Sequence, residues 1–369
     1  MAAFGMRSDA RSLRRRLAGA LAAIAVFASL PAKALLVNVD APGFEDSAAV
    51  AAFERAAGAW ERVFSDPVEV NISLAFLPLD PVVLGQTSSV LLEGPYHLIR
   101  NAMIEDSRSE SDDAIVAYLP ASGDFTATVL GFEDGTAFGL TGNLSATKAN
   151  LKALGFDLDA DFGARDASIF FNTDFEFDFD RRDGVAAGLT DFESVAAHEI
   201  GHVLGFDSVV DTVDLFAAAH SAIDLAPRTL DLFRFAEGDA PTTADGFTSA
   251  ARLLVPGFPD FSTFADQFPA VLSDVDHTYP LSTGFFLGDG RQASHWKDDA
   301  YTGMRIGLMD PSLARAESFE ITAADIRALD LIGWDYQPAV SEPPSGLLMA
   351  MALLLGFLGA FCRSELARE

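Results

Sequence analysis

The residues His198-Glu199-Ile200-Gly201-His202 have the types and the spacing to do chemistry together. On an α-helix, positions i and i+4 project from one face, so two imidazoles one turn apart can ligate a single Zn²⁺. The carboxyl beside the first imidazole then stands where it can take a proton from a zinc-bound water, whose pKa the metal lowers to near neutrality. Glu199 is expected to act first as general base and afterwards as acid to the leaving amine. The structural alternative is a pair of core histidines on an amphipathic helix, which has no need of a carboxylate between them.

A catalytic zinc takes three protein ligands and keeps one position open. The residues downstream of the motif leave the third ligand open among Asp207, Asp211, Asp214, His220, His277 and His295. Tyr279, Tyr301 and Tyr336 could each supply a hydroxyl to a developing oxyanion, and nothing in the sequence selects one.

The elements that must position these groups can be read in outline. Thr190 and Glu193 have capping-box spacing, Asp191 to Leu204 reads as a helix, and Gly205 suits its C-terminal end. Ala48 to Phe64 carries apolar residues at helical spacing, and Val68 to Phe76 alternates as a half-buried strand does. Helices are also expected at Pro95 to Asp106, Leu144 to Ala153 and Ala323 to Ile332, with a short strand at Ala114 to Leu119. Ser168 to Asp180 has nearly strict period two, with Ile169, Phe171, Phe175, Phe177 and Phe179 on one face. Asn172, Asp174, Glu176, Asp178 and Asp180 fall on the other. Calcium sites prefer such carboxylates, but acids in a row along a strand point into water, so a solvated face is expected. Residues 209–290 read as a loop-rich, insert-like region.

Two sets of residues resemble known families. The short metzincin pattern HExxHxxGxxH would place a His at 208, where the chain has Ser208. Ala293-Ser294-His295-Trp296, then Gly307-Leu308-Met309-Asp310-Pro311, then Ile321 to Trp334 instead resemble the end of a leishmanolysin-type metalloprotease. In that family the third His is displaced downstream and shortly precedes a Met-turn and a final helix. The resemblance implies His198, His202 and His295 as metal ligands, Glu199 as base, Gly205 as the helix-ending glycine and Met309 as the Met-turn residue. Physical reasoning agrees with His295: imidazole is the commonest third ligand, and His220 and His277 lie in the loop-rich stretch. Asp207 and Asp211 are the remaining choices. Met309 is expected as a packing floor beneath the metal, in keeping with its soft thioether. The implied fold is α+β, a metzincin-like zinc protease domain with a twisted mixed sheet and an active-site helix.

At the other end, Ser341-Glu342-Pro343-Pro344, the uncharged run Leu347 to Cys362 and the closing Arg363 and Arg368 resemble a PEP-CTERM sorting tail. That implies a transmembrane helix, transient membrane association and a sorting or processing enzyme as partner. Residues 1–34 combine Arg7, Arg11, Arg14, Arg15 and Arg16, an apolar run and Ala32-Lys33-Ala34, which is a secretory signal peptide. The expected organisation is a signal at 1–34, a catalytic domain at 35–337 and a tail at 338–369. The chain is then exported to the cell surface or the extracellular space, with a stage in the inner membrane.

Composition narrows the classes. The 369 residues carry a formal net charge of −29, which argues against a nucleic-acid partner held by phosphate contacts. Half the residues are hydrophobic, too many for a disordered acidic tail, and the single Cys362 excludes a disulfide scaffold. The expected function is an exported zinc-dependent endopeptidase acting on a protein or peptide substrate. The alternative is a non-catalytic surface or matrix protein with a structural zinc.

Overall fold

The computed structural model describes residues 34–42, 47–109, 114–259 and 265–337. Residues 1–33 and 338–369, which carry the expected export signal and sorting tail, lie outside the described residues. The architecture is mixed α+β, with several small sheets and helices packed around them.

The principal sheet has four strands. Strand β1 (Leu36–Asp40) leads into helix α1 (Ser47–Glu61), which returns the chain to β2 (Glu69–Leu77), parallel to β1. β3 (Gly85–Ser89) is one edge of the sheet, in the order β1, β2, β6, β3, where β6 is Ala167–Asn172. β2 and β6 are parallel, whereas β3 runs antiparallel to β6, with Gly85 opposite Phe171 and Thr87 opposite Ile169. The alternation of β2 holds: Val70, Ile72 and Leu74 are buried in turn. Between β3 and β6, β4 (Leu91–Pro95) pairs with β5 (Asn143–Thr147), and α2 (Tyr96–Asp106) and α3 (Lys148–Ala153) follow those two strands.

Helix α4 (Phe192–Leu204) crosses the sheet against α1 and β3. The core around it is aromatic. Trp60 on α1 donates its indole N–H to Ala197 O at 2.9 Å, and Trp334 donates to Leu204 O at 2.7 Å. These bonds fix the rotation of α4 about its axis. Near its N-terminus, Arg55 of α1 meets Glu193 at 2.6 Å, and the Phe192 ring lies 4.5 Å from that of Phe171.

Four local expectations change. The 168–180 segment is one strand only as far as Asn172. The Asn172 amide donates to Asp80 O and Val83 O and accepts from Leu79 N and Asp174 N, which turns the chain. A two-residue strand at Phe177–Asp178 follows. The aromatic face survives the break: Phe171, Phe177 and Phe179 all surround Phe192. The acids do not converge, since Asp178 accepts from Asp180 N and Ala186 N, and Asp180 pairs with Arg182. Ala114–Tyr118 is a 3-10 helix rather than a strand. The helix expected from Leu144 begins only at Lys148, because Asn143–Thr147 pairs with β4 and Thr147 caps the helix by accepting Asn150 N–H at 3.1 Å. Lastly, α4 is capped by Asp191, which accepts Ser194 N–H at 3.0 Å, while Thr190 pairs with Phe177.

The 209–290 region is more ordered than its punctuation suggests. Helix α5 (Val210–Ala218) buries Val210, Val213 and Ala217. A three-stranded antiparallel sheet follows from β7 (Arg234–Ala236), β8 (Ala270–Ser273) and β9 (Thr278–Leu281). Helix α6 (Ala323–Asp330) closes the described chain, with a capping box between Thr322 and Asp325.

Candidate metal centre

Helix α4 presents His198 and His202 on one face, as the i, i+4 spacing requires, with their Nε2 atoms 3.2 Å apart. His295 arrives from the other side on the strand-like segment that pairs with β9, and completes a triangle. Its Nε2 lies 3.1 Å from that of His198 and 3.3 Å from that of His202. A tetrahedral zinc-like ion about 2.0–2.1 Å from each nitrogen separates its ligand atoms by about 3.3–3.4 Å, close to these sides.

The hydrogen bonds of the far ring nitrogens decide the tautomers. His198 Nδ1 faces Leu308 O at 2.9 Å, His202 Nδ1 faces Phe206 O at 2.7 Å, and His295 Nδ1 faces Gln292 O at 3.2 Å. A carbonyl oxygen can only accept, so each Nδ1 carries the proton and each Nε2 a lone pair. Burial pushes all three imidazoles below their usual pKa, His198 to about 3, so the rings are neutral. Three lone pairs thus face one another at contact distance with no hydrogen between them, an arrangement that repels unless a cation sits among them. The donor set fits a metal ion.

Two of these carbonyls are placed by turns. Gly205 adopts φ +119°, and Phe206 N–H reaches back to Gly201 O at 3.1 Å, which turns Phe206 O toward His202. Leu308 belongs to the turn expected from the sequence, and Met309 beside it is fully buried. A Cβ on Gly201 would stand 2.4 Å from Met309 Sδ, so the glycine inside the motif is what lets the thioether pack against the helix. The expected floor is therefore present under α4.

His295 is held by the region that looked like an insert. Asp211, in the first turn of α5, accepts Ala293 N–H at 2.5 Å and Ser294 N–H at 3.1 Å, and Ser294 Oγ also bonds to it. Asp207 accepts from Ser294 Oγ at 3.1 Å and from Arg228 at 2.8 Å. Buried Arg234 donates to Ser282 O and Ala293 O, joining the two arms of the hairpin, and Ser282 N–H donates to His295 O at 3.0 Å. Asp207 and Asp211 are thus not ligands but clamps on the backbone that carries the third imidazole. Asp214 accepts Phe286 N–H and Leu287 N–H, and His220 stacks on Phe132. His277 pairs with Asp274 at 3.1 Å. Tyr279 packs on Trp296, Tyr301 donates to Asp289 O, and Tyr336 bridges to Phe64.

Glu199 is 5 % exposed, and burial pushes its carboxyl up to about 7, an effect partly offset by the Thr87 hydroxyl. Thr87 and Gly85 of β3, which flank this carboxyl, escaped the sequence reading. The segment Gly85-Gln86-Thr87-Ser88-Ser89 is polar throughout and carries no alternation that marks a strand. Among the described residues one other group of acids is close enough to share a cation, Asp298, Asp299 and Asp310. Arg291 and Arg305 already pair with Asp298 and Asp299, at 2.6 and 2.8 Å.

Replacing His295 by Ala should lower affinity for a divalent metal by at least about 100-fold, more than the loss usual for a supporting residue. Titration calorimetry on the purified chain checks this, and unchanged affinity would remove His295 from the ligand set. No protein family, curated protein or solved structure matches the chain significantly, so the residues themselves carry the functional reading.

Proposed function

We propose that this chain is a zinc-dependent endopeptidase with a metzincin-like catalytic domain, exported and acting on protein or peptide substrates. The observation that carries the reading is the convergence of three neutral imidazoles, with a buried carboxyl on the residue after the first of them that has no cationic partner among the described residues. Neutral imidazoles in a tetrahedral face suit zinc. A structural zinc is normally closed by four protein ligands. Among the described residues this group ends at three, which favours an open position for a reacting molecule.

Zinc, when bound, supplies Lewis acidity that polarises a carbonyl and brings the pKa of water toward neutrality. The chain's own residues do the rest. His198, His202 and His295 hold the ion through Nε2, and their Nδ1–H bonds to Leu308, Phe206 and Gln292 keep the rings from rotating. The Glu199 carboxyl takes a proton from the attacking water and returns it to the amine nitrogen as the peptide bond breaks. The choice of a peptide bond as substrate rests on the resemblance carried by the helix motif, the late His295 and the Met309 turn. Export and membrane association rest on residues outside the described ones. Among the described residues no helix is long and apolar enough to cross a membrane.

The zinc-loaded chain should cleave an unstructured protein such as denatured casein. A chelator should abolish cleavage, and one equivalent of zinc should restore it. A chain that binds one zinc yet leaves a degenerate peptide library intact would instead favour the structural-zinc reading.

A further inference from the structure

The Glu199 carboxyl reaches across from α4 to the edge strand β3 and is held there by two residues on one face of that strand. Thr87 Oγ1 lies 2.7 Å from Glu199 Oε2 and 3.0 Å from Glu199 O. On the other side, a Cβ on Gly85 would stand 2.7 Å from Glu199 Oε1 and 3.1 Å from its Cδ, so the carboxyl lies directly over the Gly85 Cα. Residues i and i+2 of a strand share a face, which is why one strand can supply both the bare floor and the hydroxyl. The register that aims them at α4 is fixed from behind, because Gly85 pairs with Phe171 and Thr87 with Ile169, both fully buried.

The neighbouring acids Asp207 and Asp211, both partly buried, are furnished differently. Asp211 is bonded by two backbone N–H groups and a hydroxyl, and Asp207 by Arg228, Ser294 and a backbone N–H. Several donors thus fix each of these two carboxyl groups in place. Among the described residues Glu199 receives one side-chain donor, and it is a neutral hydroxyl. A hydroxyl both donates and accepts. It can donate to Oε2, or accept from a proton resting on Oε2 while its own proton goes to Glu199 O.

We propose that Thr87 is a positioning residue for Glu199: its hydroxyl fixes the carboxyl against β3 in one rotamer, with Gly85 providing the space. The inference rests on the peptidase reading for its kinetic consequence, and on geometry alone for the contact itself. The consequence follows from how steeply proton transfer depends on placement, where a misplacement of about 1 Å can cost roughly 100-fold.

The kinetic test uses Thr87→Val, which is nearly isosteric and favoured in strands, and Thr87→Ser, which keeps the hydroxyl. Thr87→Val should lower kcat roughly 10- to 100-fold while KM stays within about twofold. Thr87→Ser should recover most of kcat, and both variants should bind one zinc. Wild-type kcat in Thr87→Val, or a Thr87→Ser variant as slow as Thr87→Val, overturns the proposal. A second readout needs no activity: thermal unfolding of the metal-free chain for Thr87→Val, Glu199→Ala and the double variant. The shifts in midpoint should be non-additive, and additive shifts overturn the contact. A wild-type chain that cleaves nothing while the pair remains coupled would sink the peptidase reading and leave the hydroxyl–carboxyl contact standing.

Discussion

Glu199→Gln should retain one zinc per chain and lose peptide hydrolysis by a factor on the order of 10²–10⁴, the usual contribution of a general acid–base group. The substitution removes the one property the reading requires of this side chain, its ability to accept a proton. It preserves size, and the amide can still meet Thr87 Oγ1, which lies 2.7 Å from Glu199 Oε2. The ligands are untouched, because the imidazole bonds run to Leu308, Phe206 and Gln292 and not to Glu199. Folding should also survive, since burial disfavours the charged carboxyl and no Arg or Lys among the described residues depends on it. Metal analysis, a thermal melt and initial rates on one preparation measure all three quantities. Hydrolysis above about a tenth of wild type, against the expected loss, would show that another group moves the proton.

The site was partly legible because part of it is local. His198, Glu199 and His202 sit within one helical turn, and Gly205 ends the helix where the sequence places the end. Local pattern also gave α1, β2 and α6 to within a few residues, since each buries a periodic apolar face. It misplaced the N-cap by one residue: Thr190 and Asp191 are both good caps, and only the pairing of Thr190 with Phe177 decides between them. His295 was reached through the spacing of its flanking motifs to Met309, not through periodicity. Nothing local places a residue 97 positions from His198 at 3.1 Å from it. That placement is set by the Asp211 clamp on Ala293 and Ser294 and by Arg234 across the hairpin. The same reasoning explains why Asp207 and Asp211 stayed open as alternatives to His295 in the sequence. Acids shortly after a His motif look like ligands in one dimension, and only the packed hairpin shows them bonded to backbone. The apolar spacing of Val210, Val213 and Ala217 did carry a readable helical signal, masked by the Gly, Pro and Asp that follow.

Asp325→Ala should destabilise the metal-free chain by about 3–5 kcal/mol, because several buried donors lose their acceptor at once, each at a cost of about 1–3 kcal/mol that is partly relieved by relaxation. Asp325 is fully buried on the first turn of α6, yet it reaches three separate segments. Oδ1 accepts Trp296 Nε1–H at 2.8 Å and Met309 N–H at 3.1 Å. Oδ2 accepts Leu308 N–H at 2.7 Å, and from Thr322 both N–H at 2.8 Å and the hydroxyl at 2.9 Å. Gly307 has no side chain because a Cβ there would stand 2.3 Å from Oδ1. Alanine leaves these donors facing a void; the helix cap alone is worth about 1 kcal/mol of the loss. Asparagine should be little better, since its NH₂ turns two donors toward groups that are themselves donors. The consequence reaches the metal, because Leu308 O orients His198 and Met309 O holds Trp296 N–H, next to His295. Metal affinity in Asp325→Ala should therefore fall about 10- to 100-fold, as for other residues that orient ligands. With a domain stability of about 5–15 kcal/mol, the variant should stay folded well enough to measure both effects. Urea denaturation with and without metal separates them: a loss below about 1 kcal/mol, short of the cost of even one buried donor left without an acceptor, would mean that the Met309 turn holds itself. An unchanged metal affinity despite lower stability would mean that His198 needs no help from Leu308.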